Sequence, residues 1–227
     1  GIDVRRFRPD TGRGIALPDG RVIKAGDPIV TFAARDLEPY RGFPQAVKAA
    51  ARVLERNKDA IFVFVGGNSN SYGASRRDGK TWKDAILEET PLDPQRVFFP
   101  GQVPHAILTR LFQISTAHIY LTYPFVLSWS VLEAMSCGAL VIGSATPPVQ
   151  EVIRHGQNGL LVPFFEPEAL AETILDVLAR PKAFVDLRRN ARQTIIERYA
   201  LDKCLTRQRS LMAQLLGASM RSVAAAG

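Results

Sequence analysis

The sequence predicts a three-layer, doubly wound (Rossmann-like) α/β domain on a parallel sheet. Two observations lead there. From Ile29 onward, short apolar runs alternate with longer segments whose apolar residues recur at helical spacing, the pattern of parallel strands joined by crossover helices. Each run also ends in a polar or Gly-containing loop, and in such folds these loops gather at the carboxyl ends of the strands, where ligands bind.

The elements follow in order. Residues 1–28 carry Pro9, Pro18 and Pro28, and Leu17 to Gly20 forms a turn opening into a short strand at Arg21 to Lys24, so this segment is a linker with a small hairpin. Ile29 to Ala34 is the first buried strand. Phe43, Val47, Ala50, Ala51 and Leu54 line one helix face. Ile61 to Val65 is the second strand, ended by Gly66 and Gly67, and the polar stretch Asn68 to Lys80 is a surface loop before a short helix at Trp82 to Glu89. Val97 to Phe99, His118 to Thr122, Leu140 to Gly143 and Gly159 to Val162 supply the remaining strands. Helices are expected at Pro104 to Ile114, where proline suits a first turn, and at Ser128 to Ser136 and Val149 to Arg154. Three more follow, Pro167 to Ala179, Pro181 to Tyr199 and Leu201 to Leu216, before an Ala-rich end expected to be disordered from Ala218. The domain reading is thus 1–28 linker, 29–199 ligand-binding domain, and 200–227 C-terminal helix and tail.

Composition bounds the function. With 227 residues, 46% hydrophobic and 22% charged, the chain has the composition of one globular domain. Two cysteines, Cys137 and Cys204, are too few for a secreted disulfide scaffold, which makes a reduced, cytoplasmic setting the expectation. The longest apolar candidate, Ile119 to Met135, is interrupted by Pro124 and Glu133, so no membrane span is expected. Gly1 suggests a piece of a longer product. The net charge of +7 is uneven: residues 1–180 hold 20 Lys and Arg against 19 Asp and Glu, and residues 181–227 hold 9 against 3. That argues against a nucleic-acid groove across the fold and leaves a basic terminal face that is either a solvated helix or a contact for anionic lipid or an acidic partner.

Several chemistries lack their motifs. There is no G-x-G-x-x-G, no G-x-x-x-x-G-K-[ST] and no G-x-S-x-G, and His105, His118 and His155 are scattered, so no metal cluster is written. Of the three histidines only His105 falls in a crevice loop. Two features remain. Arg35 ends the first strand and Arg41 precedes the first helix, where a cation is disfavoured unless an anion shares the place; the alternative is that Asp36 and Glu38 satisfy both arginines locally. Ser130 and Glu133 have capping-box spacing, while a carboxylate in the first turn of a crevice-facing helix can also hold a ribose diol, with free N–H groups around Ser128, Trp129 and Ser130 facing a phosphate.

Together these loops resemble the C-terminal half of GT-B-fold glycosyltransferases of the family-four, group-one type, from Gly1 to about Leu216. Gly1 to Pro9 is similar to the interdomain linker. Arg35 with Arg41 resembles the arginine and lysine pair that holds the donor diphosphate, and Phe99 to Val103 resembles the loop framing the base. Leu132 to Val141 resembles the helix and strand whose glutamate, here Glu133, grips the donor ribose; Glu151 to Val162 resembles the segment after it. Two positions depart from the pattern: Phe125 stands where the family has a sugar-contacting glutamate, and Pro147 and Pro148 stand in place of a glycine pair.

The resemblance implies the nucleotide-sugar-binding domain of a retaining hexosyltransferase. Arg35 and Arg41 would be catalytic, and Gly66, Val103, His105, Ser128, Trp129, Ser130 and Glu133 donor-binding, with the sugar nucleotide as co-substrate and no metal. The acceptor, a saccharide or lipid-linked molecule, would belong to a missing N-terminal domain. The setting would be cytoplasmic, with peripheral contact to the inner membrane face and no nucleic-acid partner. Rival readings are a sugar-nucleotide epimerase of the same architecture and a non-enzymatic basic module that binds RNA or membrane.

Overall fold

In the computed structural model, which describes residues 1–10, 12, 14–16 and 20–224, with side chains through residue 216, six parallel strands form the central sheet. They are β3 (Ile29–Asp36), β4 (Ile61–Gly67), β5 (Val97–Gly101), β6 (Ala117–Tyr120), β7 (Val141–Ser144) and β8 (Leu160–Val162), after a separate antiparallel pair of β1 (Ile15–Ala16) and β2 (Val22–Ile23). The spatial order is β5-β4-β3-β6-β7-β8. The chain therefore grows outward from β3 in one direction and then returns to β3's other side at β6. The register pairs Val30 with Phe62 on one flank and with Ala117 on the other. Between β3 and β6 the following connections diverge, leaving a crevice at their carboxyl ends.

The period-2 alternation of each strand feeds two cores. Val30, Phe32, Phe62, Phe64, Ile119 and Ile142 face α1 (Phe43–Arg56), α2 (Trp82–Glu89) and α6 (Pro167–Ala179). Ile29, Ala33, Val63, Tyr120 and Val141 face α3 (His105–Ile114), α4 (Trp129–Ser136), α5 (Pro147–Gln150) and α7 (Val185–Thr194). The first core is tied by packed rings, with Phe43 5.8 Å from Phe64 and Phe64 5.2 Å from Phe99. α7 continues through a π-helical turn, Ile195–Tyr199, into α8 (Leu201–Ala224).

Residues 1–10, read as part of a linker, pack onto the domain: Ile2 and Phe7 are buried, and Ile2 bridges to Ala200 by N–H to Tyr199 carbonyl (2.7 Å) and Leu201 N–H to Ile2 carbonyl (2.8 Å). The expected turn at Leu17 to Gly20 lies largely outside the described residues. The Ala-rich end, read as disordered from Ala218, continues α8 as far as Ala224, because alanine has the highest helix propensity; residues 225–227 lie outside the described residues. Pro147 and Pro148 occupy the first turn of α5, where their missing N–H groups cost no intrahelical bond.

Candidate functional site

The crevice is built from the loop after β3, the loop after β6 and the start of α4. Gly42 makes the first of these possible. It sits at φ +70°, and a Cβ there would lie 2.4 Å from the Cβ of Leu121, so only glycine allows the β3–α1 corner to press against the β6 connection.

Asp36 and Glu38 do not neutralise the arginines. Asp36 accepts the Ser69 N–H (3.0 Å) and the Ser71 hydroxyl, while buried Glu38 accepts the N–H groups of Tyr72 (3.3 Å) and Gly73 (3.1 Å). Both carboxylates thus tie the start of the 68–80 loop over the sheet edge. Oε1 of Glu38 stays buried without a partner. Arg35 is exposed at the end of β3, and among the described residues its side chain has no ion pair or hydrogen bond.

Arg41 behaves differently. The sequence reading places it beside the first helix in need of an anion; the structure turns it inward, only 6% exposed. Its Nη1 donates to the Thr122 hydroxyl (2.8 Å), the Val126 carbonyl (3.1 Å) and the Tyr120 hydroxyl (3.5 Å). Its guanidinium also lies 4.9 Å from the ring centre of Tyr72 and 5.6 Å from that of Phe125, and these rings meet edge to face at 5.1 Å. Oxygen acceptors and aromatic faces therefore satisfy the charge, and no bound anion is needed to explain it. Arg41 staples the loop after β3 to the loop after β6 across the switch point.

The start of α4 also departs from expectation. Ser128 is the N-cap, accepting the Ser130 N–H (3.3 Å), and its own N–H donates to the Tyr120 hydroxyl (2.6 Å). Glu133 is therefore in the second turn, and no capping box exists, because Ser130 lies inside the helix. Of the N–H groups proposed for phosphate, those of Ser128 and Ser130 are already used; that of Trp129, whose side chain is exposed, remains.

Glu133 instead meets His105. Its Oε2 lies 3.0 Å from Nε2 of His105, whose Nδ1 lies 3.2 Å from Nη2 of Arg6. Oε1 makes no hydrogen bond among the described residues and is not among the sealed, unpartnered oxygens. Val103 packs half-buried on the second core beside this group. Gly66 faces inward: a Cβ there would meet the Ala34 carbonyl (2.9 Å) and Leu37 (2.9 Å), so its smallness serves packing. Its neighbour Gly67 touches the crevice, where a Cβ would collide with the Asp36 carboxylate at 2.4 Å.

The sequence reading missed Tyr72, Tyr120, Thr122 and Arg6. Tyr120 and Thr122 left a usable signal, since with His118 they make a polar set at period 2 along the expected strand His118 to Thr122. Tyr72 and Arg6 left none, because long-range packing alone brings them in. Two histidines are structural: Nδ1 of His118 lies 2.9 Å from the Thr31 hydroxyl inside the core, and His155 accepts the Leu161 N–H (3.0 Å). Among the described residues no three His, Cys, Asp or Glu side chains cluster as metal ligands, and no helix is long and apolar enough to cross a membrane.

Comparison with known proteins agrees with this architecture. The D-inositol 3-phosphate glycosyltransferase of Rhodococcus erythropolis is 24% identical over 188 residues, covering 82% of this chain and 41% of its own length. Sucrose-phosphate synthase from Thermosynechococcus elongatus superposes with a TM-score of 0.77 at 26% identity, over 96% of this chain and 52% of that one. Anabaena Alr3699/HepE, solved in complex with UDP-glucose, gives a TM-score of 0.75 at 18% identity, over 94% of this chain and 56% of that one. This chain spans about half the length of these proteins. The family model described as glycosyl transferases group 1 matches residues 18–194, and with its doubly wound sheet and β3/β6 crevice the chain belongs to the group 1 glycosyltransferase family.

Proposed function

We propose that this chain is the donor half of a retaining hexosyltransferase, binding a nucleoside diphosphate sugar in the β3/β6 crevice. One observation carries the reading: Arg35 stands at the carboxyl end of β3 as an exposed cation without a partner, while the neighbouring carboxylates, Asp36 and Glu38, are turned onto loop backbone. An unpaired cation at a switch point suits a diphosphate. As the glycosidic bond to the sugar breaks, negative charge grows on the leaving diphosphate, and a guanidinium that pairs with it lowers the barrier by stabilising that charge. The Trp129 N–H at the start of α4 suits a phosphate oxygen, and the free Oε1 of Glu133 suits a ribose hydroxyl. The role of Arg41 becomes support: it fixes the loop from which α4 starts and adds positive potential beneath the site. No step in this scheme uses a metal ion.

Membership in a glycosyltransferase family and the UDP-glucose carried by the structural neighbour from Anabaena support the reading. The epimerase alternative needs an acid and a base beside the sugar, and the groups over Arg41 are the rings of Tyr72 and Phe125. Sugar transfer requires an acceptor site, which we place in a second domain preceding this one. The apolar residues that α8 exposes, Leu211, Met212, Leu215 and Leu216, suit contact with such a partner. The basic residues of α8, Lys203, Arg207 and Arg209 among them, suit peripheral contact with anionic lipid in a cytoplasmic enzyme.

The test is a calorimetric panel of UDP, GDP, ADP and their sugars. Arg35→Ala should weaken the best diphosphate on the order of ten- to a hundredfold, corresponding to about 1.5–3 kcal/mol for a hydrogen bond to a charged group, and should leave the parent nucleoside unaffected. Rising salt should shrink the wild-type preference for the diphosphate. Equal losses for nucleoside and diphosphate would remove the phosphate assignment, and chelation by EDTA should change neither affinity.

A further inference from the structure

Five aromatic side chains follow one another along the rim of the sheet's carboxyl ends, supplied by four different connections. Tyr123 and Phe125 come from the loop after β6, Tyr72 from the loop after β4, Tyr40 from the loop after β3 and Phe165 from the segment after β8. Neighbouring rings touch. Phe125 meets Tyr72 with centroids 5.1 Å apart, Tyr40 meets Tyr123 at 5.3 Å, and Tyr123 meets Phe165 at 5.7 Å. Gly73 joins the two groups, since a Cβ at that glycine would lie 3.2 Å from the Tyr40 ring. The rings thus make one belt. Tyr40, Tyr72, Phe125 and Phe165 keep between 39% and 67% of their surface exposed, and Pro124 and Val126 beside them are exposed too. Apolar surface left in water as a continuous run along a crevice marks a place of interaction.

The belt is fixed from beneath. Buried Phe164 packs on Tyr123 (4.7 Å) and Phe165 (5.0 Å), the Tyr123 N–H donates to the Tyr40 carbonyl (3.1 Å), and the Arg41 guanidinium lies against Tyr72 and Phe125. Its open side is apolar with a polar fringe. The hydroxyls of Tyr40, Tyr72 and Tyr123 make no hydrogen bond among the described residues, while Asp36 and Glu38 are turned onto loop backbone. A pyranose has the complementary surface: a face of C–H bonds, attracted to the negative face of an aromatic ring, and a perimeter of hydroxyls that pair with phenols. Steps of 5.1, 5.3 and 5.7 Å between ring centres are also close to the length of one sugar unit. A membrane surface is met instead by Lys and Arg around aliphatic side chains. We infer that the belt is a binding surface for a neutral oligosaccharide, whose successive units stack along the rim. In a member of a glycosyltransferase family such a chain is the acceptor. The belt holds units beyond the reacting one, whose orientation belongs to the second domain.

Calorimetric titration of the whole chain tests this, with maltohexaose, cellohexaose, laminarihexaose and glucose as probes. At least one hexasaccharide should bind more tightly than glucose by about tenfold or more, and its affinity should change little with salt, because stacking carries no net charge. Tyr40→Ala and Phe165→Ala should each weaken that hexasaccharide about tenfold. Phe165→Tyr keeps the ring and should stay near wild type. All three substitutions are at exposed side chains, so melting temperatures should match wild type and separate lost stacking from lost fold. Failure of every hexasaccharide to bind overturns the inference, as does binding that Tyr40→Ala and Phe165→Ala leave unchanged. A dimer in sedimentation that Phe165→Ala dissociates also overturns it, since the belt is then an interface between copies. Hexasaccharide binding that depends on Tyr40 and Phe165, in a chain that takes none of UDP, GDP and ADP, would remove the donor reading and leave the belt standing.

Discussion

The imidazole of His118 is fully buried on β6, where the Ser115 hydroxyl donates to the Leu111 carbonyl (2.6 Å) and lies 2.7 Å from the Thr31 hydroxyl. The hydrogen-bond direction follows: Thr31 donates to Ser115, so Nδ1–H of His118 donates to Thr31, and Nε2 remains a buried lone pair. Burial pushes the His118 pKa down from its ordinary 6.5 to about 3. Between those values the unfolded chain binds a proton that the native chain refuses, so stability falls as pH drops through that window, with a slope approaching about 1.4 kcal/mol per pH unit. His118→Asn keeps a donor for Thr31 and should flatten the difference between urea midpoints at pH 7 and pH 5; an unchanged difference would contradict this account. The cysteines separate in the same way. Burial, reinforced by the nearby Glu133, pushes the Cys137 thiol up to about 12, while Cys204 is partly exposed. A thiol-specific disulfide reagent at pH 8 should therefore titrate Cys204 in the native chain and Cys137 only after unfolding.

Among elements, the β3–α1 corner and the β6–α4 loop are mutually dependent. The Gly42 backbone lies against the Leu121 side chain, and Arg41 bonds to Thr122 and Val126 on the facing loop. Gly42→Ala should destabilise the fold by about 1–3 kcal/mol from the positive φ alone, with the contact against Leu121 adding to it. A denaturant midpoint close to wild type would show that the corner yields more easily than described. Arg41→Ala should also lower stability, since it leaves buried acceptors without a donor. Arg35→Ala should stay within about 0.5 kcal/mol, as exposed substitutions do. Comparing the two melts thus separates the supporting arginine from the one offered to ligand.

At the scale of the whole molecule, the chain spans about half the length of its relatives, and the donor reading assigns the acceptor to the other half. Orienting two reactants can account for roughly 7–11 kcal/mol of a barrier. This chain alone, incubated with its best-binding sugar nucleotide and saccharide acceptors, should therefore release nucleoside diphosphate slowly and form no glycosylated product at enzymatic rates. Product formed by this chain alone would mean that one domain holds both sites.

The fold was legible because its causes are local. Strand runs such as Ile61 to Val65 and helix faces such as Phe43 to Leu54 must bury their apolar surface, and the period of that surface names the element. The strands' order along the chain, with loops at their carboxyl ends, also located the crevice. The sequence singled out Arg35, Arg41, His105 and Glu133, since charged or titratable residues in such loops stand out from the apolar pattern. What it left open was the partner of each. Whether Arg41 faces a ligand or Thr122, and whether Glu133 caps its helix or meets His105 from 28 residues away, depends on which loops the sheet order brings together. Hydrogen bonds and ion pairs act over about 3 Å in space, and one-dimensional spacing holds no record of that distance once a chain has crossed the sheet. Tertiary structure alone therefore decided that Arg35 stands free while Arg41 is enclosed.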